Sequence, residues 1–201
     1  MSRANGILLT GGIGSGKSTA AALLAGWGAA VVSADAAGHR VLEPGEAAHE
    51  RVASRWPQAV KADGRIDRGR LASVVFADAG ELAALEEITH PAIGVIVLAE
   101  VERRRAAPLV VIEVPLPGDR FGLGWPQVVV DAPDEVRVAR LADRGMEPEE
   151  AARRMAAQPD RETWLAGADY VLDNGRDLEH LAAGCRRLWA SFVGRMPPGA
   201  G

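Results

Sequence analysis

A doubly wound α/β fold on a five-stranded parallel sheet is predicted by three observations. Five short runs are continuously apolar instead of alternating, the pattern of strands buried on both faces of a parallel sheet. Helix-favouring runs separate most of them, as βα alternation requires. The first apolar run also passes through a glycine-rich turn directly into a helical run.

In chain order, Ile7-Leu8-Leu9-Thr10 is the first strand, and 17–25, closed by Gly26, is the first helix. Residues 29–32 form a second strand that ends at Ser33-Ala34-Asp35. From 36 to 102 no strand pattern is evident. Helical runs at 46–56, 68–76, 81–90 and 92–105 are separated by turn signals such as "EPG" and "ADG", which marks a helical insertion. Residues 109–114 and 127–131 supply two more buried strands, 135–144 and 147–157 two helices, 170–172 a last strand and 178–193 a closing helix. One domain is expected, with a core at 1–35, 106–135 and 168–195, the insertion at 36–105, a lid at 136–167 and a disordered tail at 196–201.

Composition narrows the classes. The 201 residues are 48% hydrophobic, enough for one well-buried core. A net charge of −4 argues against a general nucleic-acid binder, which needs a basic face. Cys185 is alone, so no internal disulfide forms and a structural zinc site is not expected; this suits a reducing cytoplasm. Three apolar residues before Thr10 are too few for a signal peptide, and no membrane span is expected. Nothing in the sequence selects between a monomer and a homo-oligomer.

Lys17 and Lys61 are the only lysines among 23 basic residues, so the position of Lys17 is informative. Gly11-Gly-Ile-Gly-Ser-Gly16-Lys17-Ser18 matches G-x-x-x-x-G-K-[ST], with the strand before it and the helix after it that a phosphate-binding loop requires. Glycines let consecutive backbone N–H groups approach phosphate oxygens, and the helix N-terminus adds partial positive charge. Lys17 is a compact charge for the outer phosphates, and the Ser18 hydroxyl is suited to Mg²⁺. A GTPase would need N-K-x-D, which is absent. A small kinase is the remaining class, and it must supply a group for the acceptor proton and mobile arginines.

Asp35, just past the second strand, is the candidate for that proton, with helix capping as its structural alternative. Glu113 ends the third strand in the manner of a Walker-B acid. Arg137, Arg140 and Arg144 recur on one helix, and Arg153, Arg154 and Arg161 lie on or just after the next, which suits a closing lid.

These residues together resemble the dephospho-CoA kinase family over nearly the whole chain. The resemblance runs through "LTGGIGSGKST", "VLEPG", "DGRIDRGRLASVVF", "LEEITHP", "VPL", "RLADRGM", "AARRMAAQ" and "ADYVLDNG". It implies transfer of the ATP γ-phosphate to the ribose 3′-hydroxyl of dephospho-CoA, with Mg²⁺, in the cytoplasm. By that resemblance Asp35, Lys17 and Arg140 are catalytic. Gly12, Gly14, Ser15, Gly16, Lys17, Ser18, Thr19 and Asn174 bind nucleotide. Asp35, Arg68, His90 and Asp119 meet the acceptor, and Ser18 and Asp35 serve the metal, Asp35 through water. The chain departs from the family where D-A-D becomes Ser33-Ala34-Asp35, where His39 replaces an arginine, and where P-L-L-x-E becomes Pro115-Leu-Pro-Gly-Asp119. Two alternatives share the loop: a kinase for another small metabolite, such as a nucleoside monophosphate or sugar, and a nucleotide-binding regulatory module with weakened catalysis.

Overall fold

A computed structural model describes residues 6–197; of the expected tail, residues 198–201 lie outside that range. The five expected strands are present as β1 (Gly6–Thr10), β2 (Ala30–Ser33), β3 (Val110–Glu113), β4 (Gln127–Asp131) and β5 (Tyr170–Asp173). They form one sheet in the order β2-β3-β1-β4-β5. β1 is central and pairs in parallel with β3 (Leu8 opposite Ile112) and with β4 (Leu8 opposite Gln127), while β4 pairs in parallel with β5. Parallel pairing brings Thr10, Glu113, Asp131 and Asp173 to one edge of the sheet, where doubly wound folds place their sites.

The continuous apolar runs are explained by burial on both faces. Ile7, Leu9, Val111, Val128 and Val130 pack on one face with Leu24 of α1 (Lys17–Gly26) and with Leu181, Leu188 and Trp189 of α9 (Leu178–Val193). Leu8, Val110, Ile112 and Val129 on the other face are just as inaccessible. Each such side chain contributes roughly 1.5–3 kcal/mol on transfer from water. Trp27 and Trp189 meet edge to face at 6.1 Å, so tryptophans here serve packing. Cys185 is fully buried in the same cluster, and burial pushes its thiol up to about 11.

The chain divides into two compact units: residues up to Val32 with those from Val101 onward, and Ser33–Glu100. The second unit is helical, with α2 (Ala34–Arg40), α3 (His49–Arg55), α4 (Arg68–Val75) and most of α5 (Ala79–Arg103). Its own core joins Val41, Val52, Trp56, Leu71, Val75 and Ile88. A short antiparallel bridge between Val60 and Ile66 is the one extended pairing that the apolar pattern did not announce in this unit.

Two sequence expectations are corrected here. Helices expected to break at Pro91 are one continuous helix, α5, with Pro91 inside it. Proline removes one backbone donor, but Leu85, Ile88, Ala92, Ile93 and Ile96 all pack into the helical core across the proline. Tertiary packing outweighs the local penalty. Because the two runs fuse, α5 is long and apolar enough by length and composition to cross a membrane, contrary to the expectation of no such segment.

The first unit also contains α6 (Asp134–Asp143), α7 (Pro148–Ala156) and α8 (Arg161–Ala166). The last of these was not anticipated. Asp160 caps α8 by accepting from Thr163 N at 2.7 Å, a signal present in the sequence as Asp160-Arg-Glu-Thr163.

Candidate active site

The loop from Gly11 to Gly16 leaves the end of β1 and delivers the chain into α1 at Lys17. Gly16 has φ 98°, and a Cβ there would collide with the Asn174 amide, so no other residue is accommodated. Lys17 Nζ donates to the Gly11 carbonyl at 2.6 Å, which folds the ammonium over the loop. Ser18 Oγ donates to Glu113 Oε1 at 3.2 Å, joining the start of α1 to the end of β3. This hydroxyl and carboxylate are hard oxygen donors of the kind Mg²⁺ prefers, and among the described residues no cluster of three His, Cys, Asp or Glu forms an all-protein cage. Oxygen donors from one or two side chains, completed by water and phosphate, fit that ion.

Side chains distant in sequence brace the loop. Buried Arg137 donates from Nε to the Ile13 carbonyl at 2.9 Å and from Nη1 to Asp134 at 2.9 Å. Buried Asn174 donates from Nδ2 to the Ser15 carbonyl at 2.7 Å, and its own N–H reaches the Asp131 carbonyl at 2.7 Å. Gln158, just past α7, accepts the Ile13 N–H at 2.7 Å. Arg161 grips Asp131 with two bonds of 2.9 and 2.6 Å, and that carboxylate raises the guanidinium's pKa.

The expected arginines therefore differ in commitment. Arg137 is tied to Asp134 and to the loop, Arg161 to Asp131, and Arg154 pairs with Glu150 at 2.6 Å. Arg140 makes only long contacts, 3.5 Å to the Ser15 carbonyl, 3.4 Å to Asn174 Oδ1 and 3.5 Å to the Arg176 carbonyl. It borders a cavity of about 270 Å³ with Gly16, Thr19, Asp143, Arg144 and Asn174.

Of the other expected site residues, Gly12, Gly14 and Ser15 lie in the loop, and Ser18 and Thr19 in the first turn of α1. Asp35, Arg68 and His90 are exposed residues of the helical unit, on α2, α4 and α5. The cap of α2 is Ser33, whose hydroxyl accepts Ala36 N at 3.1 Å, and Asp35 stands in the first turn. Ser33 thus fills a capping role open equally to the aspartate it replaces, and Asp35 is not needed for it. Arg68 follows the Asp67 cap, whose carboxyl is held below the usual range first by the Arg70 N–H.

Asp119 is not brought to the phosphate loop. Its oxygens accept Phe121 N at 3.1 Å and Gly124 N at 2.7 Å, closing its own turn. The neighbouring Gly118 N–H binds Gln127 Oε1 at 2.6 Å at the start of β4, and Trp125 covers Gly6 at the start of β1. The segment belongs to the strand-start end of the sheet. Gln158, which does brace the loop at Ile13, had no assigned role in the sequence, since nothing local marks a partner 145 positions away.

A family model described as dephospho-CoA kinase matches residues 6–180. The dephospho-CoA kinase of Streptomyces avermitilis is 43% identical over 193 residues, covering 93% of each chain. That of Thermobifida fusca is 40% identical over 195 residues, covering 94% of this chain and 96% of its own. A crystal structure of a Thermus thermophilus protein superposes with a TM-score of 0.80 at 39% identity, covering 92% of this chain and 96% of that one.

Proposed function

The chain belongs to the dephospho-CoA kinase family, and on that footing we propose that it moves the γ-phosphoryl group of ATP to the ribose 3′-hydroxyl of dephospho-CoA, releasing CoA and ADP. The observation that carries this reading is the family match across residues 6–180, joined to a phosphate loop whose glycines, lysine and hydroxyl stand in working order.

The hydroxyl oxygen forms a bond to the γ-phosphorus as the bond to the β–γ bridging oxygen breaks, and the hydroxyl proton leaves to Asp35 or to water. Backbone N–H groups from Gly14 to Ser18 hold the phosphates at the α1 N-terminus, and Lys17 turns from the Gly11 carbonyl to the β- and γ-oxygens. Ser18 and Glu113, with Asp35 through water, would hold a bound Mg²⁺, which would supply charge neutralisation for the phosphates. Arg140 is the lid arginine assigned to phosphate, because its guanidinium lies on the loop, 3.5 Å from the Ser15 carbonyl, while Arg137, Arg154 and Arg161 are paired with carboxylates. Thr19 and Asn174 border the nucleoside cavity, where Asn174 also holds the loop rigid. The helical unit with Arg68 and His90 receives the acceptor, and residues 136–167 act as the lid. Asp119 is reassigned to closing its own turn. The lone thiol and the proposed substrates support a cytoplasmic location.

The test is incubation with Mg·ATP and dephospho-CoA, AMP, gluconate or shikimate in parallel, following ADP release and acceptor mass. Phosphorylation of dephospho-CoA alone is expected; turnover only with another acceptor, or nucleotide binding with no turnover, overturns the reading. Asp35→Asn should bind nucleotide normally and lose about 100-fold or more in turnover.

A further inference from the structure

The peptide unit on either side of Ile13 is held at both polar groups. Arg137 Nε donates to the Ile13 carbonyl at 2.9 Å, and Gln158 Oε1 accepts the Ile13 N–H at 2.7 Å. Gln158 is half-buried and does not float on a free loop end. Three residues later Arg161 grips Asp131 at the end of β4, Asp160 caps α8, and Trp164 Nε1 donates to the Pro159 carbonyl at 2.9 Å. The segment carrying Gln158 is thereby anchored to the edge of the sheet from which the phosphate loop emerges.

A glutamine amide has one acceptor oxygen and two N–H donors on nitrogen. With Oε1 committed to the loop, the amide plane is set before any ligand arrives, and the polar capacity left over is that of a neutral donor. Two neighbouring cations are committed, Arg137 to Asp134 and Arg161 to Asp131. A preoriented neutral donor beside the loop suits phosphoryl transfer, in which charge spreads over the equatorial oxygens and fixed donors act without reorganising.

We infer that Gln158 is a substrate-contacting residue of this reaction: its Oε1 stays on the Ile13 N–H while its Nε2 donates to an oxygen of the transferring γ-phosphoryl group. The inference rests on the proposed reading that the triphosphate lies on the Gly11–Ser18 loop. It also gives Ile13 a different duty from its neighbours, since its N–H is reserved for the lid segment and not for phosphate.

The experiment uses the full chain and compares Gln158→Glu, Gln158→Ala and the shape-conserving Gln158→Met. Readouts are turnover with Mg·ATP and dephospho-CoA, the affinities of ADP and of a non-hydrolysable ATP analogue, and Tm. Gln158→Glu keeps an oxygen for Ile13 but replaces the donor with negative charge. It should lose at least about 100-fold in kcat, more than Ala or Met at about 10-fold. All three should keep ADP affinity within about twofold while weakening the ATP analogue, because only the γ-phosphate contact is touched. Should Glu restore what Ala and Met lose, or should ADP and the ATP analogue weaken together, Gln158 merely braces the loop and the inference is wrong. Unchanged turnover in all three also overturns it. Failure of the underlying reading has its own signature: wild-type protein that does not bind ADP, or Lys17→Ala with normal turnover.

Discussion

Two glycine-rich loops follow neighbouring parallel strands, and they use glycine for different reasons. In the loop after β1, Gly14 has φ 80°, and an added Cβ would lie 2.8 Å from the backbone oxygen of Arg137. In the segment after β3, Gly122 has a similar φ of 66°, but an added Cβ meets nothing within 4 Å. The first loop is pressed against a second layer of the protein that holds its peptides in place. The second needs only a turn, closed by its own Asp119. A preorganised anion site therefore requires glycines that are both left-handed and crowded, whereas a connector requires only the former.

The most severe way to break the first loop is to remove its charge. Lys17→Ala should abolish turnover, by about a thousandfold or more in a coupled ADP-release assay, with the far-ultraviolet circular dichroism unchanged. Crowding is tested next: Gly14→Ala should lower ATP affinity by about tenfold or more and lower Tm, because both the backbone angle and the Arg137 contact oppose the methyl. Its counterpart Gly122→Ala should cost only about 1–2 kcal/mol, roughly 2–8 °C in Tm, with kcat and KM unchanged. Equal losses of activity in the two alanine variants would contradict the distinction between the loops.

Smaller effects refine the role of Asp119. Asp119→Ala removes an acceptor for two exposed backbone N–H groups, so a loss of about 1 kcal/mol in urea titration and wild-type kinetics with dephospho-CoA are expected. A large rise in KM for the acceptor would instead return this residue to the active site. Asp160 offers the mildest comparison, a second carboxylate that closes a turn. Its pKa is lowered first by the Thr163 hydroxyl and then by the Thr163 N–H. A carboxyl depressed on folding adds stability above its ordinary pKa near 3.9 and loses it as pH falls through the folded value. The Tm advantage of wild type over Asp160→Asn should be present at pH 7 and shrink as the pH falls below about 4.

Much of the fold is legible in the residues because its signals are local. Strands buried on both faces must be apolar throughout, as Ile7-Leu8-Leu9 is, and a phosphate cradle uses consecutive backbone amides, so Gly11 to Ser18 is readable as one word. Pro91 shows the limit of local rules. It forecasts a helix end, yet α5 continues because residues on both sides of it fill the same core. Asp119 shows another limit, since its position in a motif series says nothing about which end of the sheet its loop returns to.

By itself, then, the order of residues determined a parallel α/β sheet, a phosphate loop with its one well-placed lysine, and a likeness to dephospho-CoA kinases that the family match bears out. Only the tertiary structure decided which of many arginines are already paired, that Ser33 and not Asp35 caps α2, and that Gln158 reaches Ile13 across 145 positions. The physical reason is that apolar periodicity and backbone geometry repeat along the chain, whereas the partner of a charge or an amide is chosen in space.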